Sequence, residues 1–263
     1  MTNKNTVFAK RKLTYMGVIA VIFLIYFGAA FITDFKMCEG LASFPGAFTW
    51  IGKNLIPDEQ AVSRIPKILS KLLETTLLSV AVTVFAAVCA FLFSLLGTRT
   101  TKINPIVGRF VRIIAVFFRN VPDVVWAMLL MFSFGQNILT GFLALFFTTF
   151  GLLTRAFIET IDEVSSSCVE ALNATGANFI QCVFQGIIPS SLTGIVSWVL
   201  YMIETNIRSS TLIGMLTSTG IGYLFDMYYK SLQFPSAGLI VVFMVVLVIV
   251  IEAISNKIRR VIM

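Results

Sequence analysis

Histidine is absent from all 263 residues. A His-based catalytic triad and a Cys/His zinc site therefore lack their parts. Cysteine is scarce: Cys38, Cys89, Cys168 and Cys182 stand far apart without a CxxC pair, so neither a disulfide scaffold nor a thiolate metal site has its spacing. Charged residues make up only 13% of the chain against 57% hydrophobic, with a mean hydropathy of +0.92. That balance excludes an ordinary soluble domain and leaves a polytopic membrane protein. A P-loop is missing as well. It needs G, four residues, then G-K-S/T so that backbone amides cradle phosphates, whereas Gly46 to Gly52-Lys53-Asn54 has five residues between the glycines and Asn at the hydroxyl position. Internal repeats and low-complexity tracts are also lacking.

What the chain has instead is long apolar runs. Leu13 to Thr33, Thr75 to Thr98 and Ser231 to Ile251 carry no charged side chain, and each meets the roughly 20 residues a helix needs to cross hydrocarbon. Val124 to Thr154 is also uncharged but is divided by the polar turn Gly135-Gln136-Asn137. The part before the turn is too short to span unless its helix starts near residue 113, which puts Arg119, Asn120, Pro122 and Asp123 within or at the edge of the membrane. Pro122 is expected to kink that helix, and Arg119 to snorkel to the inner interface. A further span starts near Pro189, where a missing N–H suits a first helical turn. The expectation is all-α, with six spans at 13–33, 73–97, 113–134, 138–157, 188–206 and 235–255. The outer segment 34–72, with Pro45, Gly46, Trp50, Gly52, Pro57 and Pro66, reads as irregular with a short interfacial helix before the second span.

Lys4, Lys10, Arg11 and Lys12 precede an apolar run longer than a signal-peptide core, without a clean small-x-small site after it, so the first run reads as an anchor. The net charge of +7 would suggest nucleic acid in a soluble protein, but here the basic residues gather at span ends, which is a topology signal and not a nucleic-acid one. With both termini cytoplasmic, thirteen Lys/Arg lie inside, including Arg99, Lys102, Arg109, Arg112, Arg119 and Arg155. Seven lie outside: Lys36, Lys53, Arg64, Lys67, Lys71, Arg208 and Lys230. Residues 158–187 are then cytoplasmic. Ser165, Ser166 and Ser167 offer N-cap oxygens for a short helix with Glu170 in its first turn. Gly176 breaks it, and Asn178 to Gln185 begins a second helix at an angle, with Leu172, Phe179, Ile180, Val183 and Phe184 as candidates for an exposed apolar face.

Within this loop Glu170, Ala171, Gly176 and Pro189 fall at the spacing E-A-A, three residues, G, nine residues, I-x-L-P. By this the chain resembles the permease subunits of bacterial ABC importers. The spacing matches throughout, but Leu172 replaces the second Ala, Gly186 the Ile and Ile188 the Leu. Arg119-Asn120-Val121-Pro122-Asp123-Val124-Val125-Trp126-Ala127 is similar to the R-x-(I/V)-P-(D/E)-x-x-W-A segment of the phosphonate-type permeases, and Glu204 to Thr211 to their E-x-N-x-R-(A/S)-(A/S)-T segment. Gly214 and Gly220-Ile221-Gly222 fit the glycine-rich stretch that follows, with Thr217, Ser218 and Thr219 departing from it. The resemblance covers most of the chain after residue 110.

The resemblance implies a permease fold whose coupling knob docks into a groove on a separate ATPase. The coupling positions are then Glu170, Ala171, Leu172, Gly176, Phe179 and Pro189. It also implies a homodimer of this chain, two ATPase copies that hold the ATP and Mg, an extracytoplasmic solute-binding protein, a bacterial inner-membrane location, and no cofactor on this chain. The domain reading is 1–12 cytoplasmic segment, 13–33 first span, 34–72 outer loop, 73–255 permease domain with the coupling loop 159–189, and 256–263 cytoplasmic tail. An anion path is consistent with the residues: Arg208, about 28 Å beyond Pro189 and so near the outer mouth, offers a planar donor fork for a phosphonate or phosphate. Asn206, Ser209, Ser210 and Thr211 add neutral donors. A plain Glu204–Arg208 pair on one helix face is the bland alternative. Other readings are a permease for methionine or another small solute, an ion-driven carrier, and a membrane enzyme acting on lipid phosphates. Asp123 and Glu204, each near a predicted span end, suit the carrier poorly, and the lack of histidine disfavours the enzyme.

Overall fold

The described residues of this computed structural model, 4–99, 105–164 and 166–262, contain helices and turns without a strand. Lys102 and Ser165 lie outside them. Two units are distinct. The first, residues 1–54, holds α1 (Lys4–Ile32) and α2 (Met37–Asn54). α1 contains the first expected span: its apolar part Arg11–Ile32 has 22 residues, enough to cross hydrocarbon. α2 corrects the irregular outer segment read from the sequence. Pro45 sits inside it, although an interior proline forfeits one backbone bond and crowds the carbonyl four residues back.

The second unit runs from Leu55 and is built around α7 (Ile138–Val164). α3 (Glu59–Ser63) starts at Asp58, whose carboxylate accepts from the Ala61 N–H at 2.7 Å, and leads into α4 (Ile65–Gly97). The buried face of α4 runs Ile68, Leu72, Thr75, Ser79, Val82/Thr83, Ala86, Ala90, Ser94, Gly97. That is the three-to-four spacing of one helical stripe. Its residues are mostly small, which lets α4 and α7 approach closely. Its hydroxyls do not sit unsatisfied: Thr75, Ser79 and Thr83 donate to the carbonyls of Lys71, Thr75 and Ser79 at 2.7–2.9 Å. Phe150, Leu153 and Phe157 of α7 fill the space against Ala86, Ala90 and Met202.

The third expected span is not one rod with a kink. It is two helices, α5 (Pro105–Asn120) and α6 (Asp123–Phe134), bent by 89° at the break. Pro122 is the N-cap of α6. A proline disfavours helical φ/ψ in the residue before it, so α5 ends ahead of it and α6 starts afresh. Close crossing holds α5 on α7: a Cβ at Gly151 would stand 2.6 Å from the Arg119 N and 2.8 Å from the Ala115 O.

The fifth expected span, 188–206, is too short. α10 runs Ile188–Thr217 and continues without a break from Phe179, through α9 (Phe179–Gln181) and a π-helical turn Cys182–Ile187. The polar run Glu204 to Thr211 suggested a helix end, yet its Asn206, Ser210 and Thr211 are buried among other helices. The chain reverses at Ser218 and Gly220, both at positive φ, into an unforeseen helix α11 (Gly220–Lys230), and closes with α12 (Phe234–Ile262). Gly222 fits α11 against α10 so tightly that a Cβ would lie 1.9 Å from the Thr211 O. At this end Arg64 ties α4 to α12. It donates to Ser236 Oγ at 2.8 Å and to Gln233, and stacks over Tyr228 at 4.7 Å. At the opposite end Asp162 of α7 gathers Thr98, the Arg99 N–H at 2.8 Å and Arg112 at 3.4 Å.

Candidate coupling element and translocation path

α8 (Ser166–Ala174) ends in a tight reversal. The Ala177 N–H donates to the Leu172 O and the Gly176 N–H to the Asn173 O, both at 3.1 Å, with Gly176 at φ +82°. These are the 6→1 and 5→2 bonds of a Schellman motif, whose C′ position needs a left-handed residue. Gln181 then reaches back to the Asn178 N–H at 2.8 Å and starts α9. The expected helix–turn–helix is present. Beneath it Val169, Cys182, Val183 and Ile187 pack on Ile161, with Leu172 and Ala177 at the edge. Val183 is therefore core and not part of the exposed face expected for it, because it lies on the α7 side of the turn. Phe179, Ile180 and Phe184 are exposed by 44%, 68% and 66%, and form an apolar patch beside exposed Ala171 and Gly176.

Two departures from the E-A-A spacing motif touch each other. A Cβ at Gly186 would stand 2.9 Å from Leu172 Cδ1, so the large residue on α8 occupies room the small one leaves in the π turn. Gly186→Ile alone is expected to destabilise by about 1–3 kcal/mol through overpacking. Combined with Leu172→Ala it should cost at least about 0.5–1 kcal/mol less than the two single changes summed. Thermal unfolding of the four variants checks this. Additive losses would mean the two positions do not compensate.

The π turn itself follows from Pro189. The Ile188 N–H donates to the Val183 O, five residues back, and proline offers no N–H to resume the regular ladder at once. The hydroxyls of Ser190 and Ser191 instead donate to the Gly186 and Ile187 carbonyls, each at 2.5 Å. Pro189 stands in the first turn of α10, as expected, but the apolar helix runs on through the π turn from Phe179.

Glu170 lines a cavity of about 770 Å³ together with Arg99, Arg112, Arg155, Glu159 and Asp162. Arg155 is paired with Glu159 at 2.7 Å and Arg112 with Asp162. Among the described residues no three His, Cys, Asp or Glu side chains could hold a metal ion.

The five residues assigned to a solute path separate into two groups. Asn206 is 3% exposed; its Nδ2 lies 2.8 Å from Thr83 Oγ1 on α4 and 2.9 Å from Thr149 Oγ1 on α7. The Ser210 hydroxyl meets Ser79 at 3.0 Å and donates to the Ile207 O at 2.9 Å, and the Thr211 hydroxyl is buried against its own helix. Asn206 and Ser210 hold α10 to its neighbours, whereas Thr211 shares a small pocket of about 230 Å³ with Arg208 and Thr75. Ser209 is half-buried and Arg208 exposed. Arg208 pairs with Glu204 at 2.9 Å, and the Glu204 side chain is only 14% exposed.

Arg208 is also deeper than its expected place at a mouth. Asn206 is level with Thr83, and Thr75, where the uncharged run of α4 begins, lies eight residues or about 12 Å away toward the Arg64 end. α10 runs on for nine residues, about 14 Å, past Arg208. Counted from the level of Thr75, Arg208 lies about 9 Å further along the span, and an ionisable residue inside a span faces the protein interior or water.

Long apolar helices and a broken span define a polytopic membrane protein. The sequence family described as "binding-protein-dependent transport system inner membrane component" matches residues 90–262. The chain belongs to this family, as an ABC importer permease. It is 28% identical over 190 residues to the phosphate-import permease protein PhnE of Mycolicibacterium smegmatis, covering 72% of this chain and 36% of that one. To the phosphite transport system permease protein PtxC of Stutzerimonas stutzeri it is 25% identical over 246 residues, covering 93% and 88%. A solved inward-facing structure of the MetNI methionine ABC transporter has the same fold, at a TM-score of 0.68 and 19% identity, over 78% of this chain and 99% of that one.

Proposed function

We propose that two copies of this chain form the translocation path of an ATP-driven importer for a phosphorus oxyanion: phosphonate, phosphate or phosphite. A solute-binding protein delivers the anion on the side of the Arg64 end, and a pair of ATPase subunits, which hold the ATP and Mg, grips the α8–α9 knobs on the other. Both termini and the loop 159–189 are then cytoplasmic, consistent with the excess of Lys/Arg on that side.

The carrying observation is the knob, whose exposed apolar side chains Phe179, Ile180 and Phe184 stand on a covalently short, glycine-locked turn. A patch of this kind marks a docking surface, and its buried underside passes motion to α7 and α10. Glu170, Ala171, Leu172, Gly176 and Phe179 build it, and Pro189 links it to the α10 rod. The anion reading is supported by the phosphate and phosphite relatives and by Arg208 at depth.

Uptake into proteoliposomes holding the complete transporter tests the reading. Accumulation of a phosphorus oxyanion only with ATP and binding protein supports it; accumulation driven by an ion gradient without ATP contradicts it. Arg208→Ala is expected to reduce uptake by roughly ten-fold, the loss of one charge-assisted contact. Equal uptake by that variant would return Arg208 to a pairing role with Glu204.

A further inference from the structure

Arg119 is the last residue but one of α5 before the break, and neither it nor Asn120 makes an ion pair or side-chain hydrogen bond among the described residues, although both are exposed. The Arg119 backbone lies over Gly151, which is two residues from Thr149, the level of Asn206. Arg119 is thus about 15 Å from the level of Thr75, and about 10 Å along α5 from Arg112 at the other end. An unpaired guanidinium at this depth is costly against lipid and belongs on a water-filled surface.

A cavity extends along α5 toward it. The cavity at the Asp162 end is lined on α5 by Arg112, Ala115 and Val116, and Arg119 follows Ala115 and Val116 at i+4 and i+3 on the same face. Asp123, the nearest carboxylate in sequence, is half-buried and accepts from the Val124 N–H at 2.9 Å, leaving Arg119 without a counter-ion. From Arg208, two residues to one side of Asn206, to Arg119, two to the other side of Thr149, the distance along the span is about 6 Å.

We propose that Arg119, assisted by Asn120, is a second anion station: it takes the oxyanion released by Arg208 and passes it to the cavity lined by Arg99, Arg112 and Arg155. This rests on the permease reading above. The break at Pro122 leaves both side chains exposed at the end of α5. The guanidinium fork suits two oxygens of a phosphorus oxyanion, and Asn120 supplies a neutral donor.

The test has two arms on the complete transporter in proteoliposomes. Arg119→Ala is expected to cut ATP-driven uptake of methylphosphonate, phosphite or phosphate roughly ten-fold or more, with Arg119→Lys in between and both co-purifying with the ATPase in the wild-type ratio. Wild-type uptake by Arg119→Ala, or its loss of assembly, overturns the proposal. In the second arm Arg119→Cys, in a chain whose four native cysteines are replaced by serine, reacts with an anionic, membrane-impermeant methanethiosulfonate, and an added phosphorus oxyanion slows the reaction. An unreactive Arg119→Cys overturns the proposal. If the wild type carries no phosphorus oxyanion, the functional reading fails, while rapid labelling still shows Arg119 facing water.

Discussion

Gly176→Pro is expected to abolish ATP-coupled uptake while leaving the spans folded. Residue 176 stands at φ +82° and its N–H donates to the Asn173 O. Proline can adopt neither: its φ is held near −65° and it has no N–H. The Schellman turn cannot close, and the Ala177–Leu172 bond that depends on it is lost as well. The angle between α8 and α9 then changes, and the Phe179, Ile180 and Phe184 patch leaves its register with α8. Nothing lies within 4 Å of a Cβ at Gly176, so the substitution acts through the backbone of the turn and not through a side-chain clash. The expected result is uptake at the background of a transporter lacking ATPase, with a Tm within about 3 °C of wild type, as for loss of one exposed turn. Uptake near wild type would show that the geometry of this turn is not what transmits ATPase motion.

Gly151→Ala is expected to act at the opposite extreme, through packing. Its Cβ would meet the Arg119 N at 2.6 Å, the Ala115 O at 2.8 Å and the Phe118 Cβ at 2.9 Å. Two of these are backbone atoms, which no rotamer change can move aside. α5 must shift off α7, and the aromatic pairs of Phe118 with Phe147 at 5.0 Å and Trp126 with Phe147 at 4.9 Å shift with it. Strain of this kind costs about 1–3 kcal/mol, corresponding to a Tm lower by roughly 5 °C. Moving the α5–α6 break also moves Arg119. A variant with unchanged Tm would place the α5–α7 crossing farther apart than these contacts require.

The expected spans were legible because a membrane helix must be long and apolar, and each of the six readings falls within a helix or helix pair to within one residue. Their ends were not legible where polarity is satisfied inside the protein. Asn206 and Ser210 looked like a helix leaving the membrane, yet Thr83, Thr149 and Ser79 on neighbouring helices supply their partners. That is a tertiary fact no single segment carries. Pro122 was visible as a disturbance, but whether it bends a helix or ends it depends on Gly151 accepting α5 at close range. The glycine of the coupling turn was legible from local chemistry alone, since the left-handed position of a Schellman motif is a property of its own few residues. Leu172 and Gly186 read as two unrelated departures from the family pattern. Fourteen residues apart in the chain, they are one contact in the fold.

The most direct measurement is ATP hydrolysis by the transporter reconstituted in lipid with its ATPase and binding protein, with methylphosphonate, phosphate, phosphite or methionine added in turn. Stimulation by a phosphorus oxyanion and not by methionine is the expected result. Stimulation by methionine alone, or by none of the four, would contradict the assignment of this permease to phosphorus oxyanions.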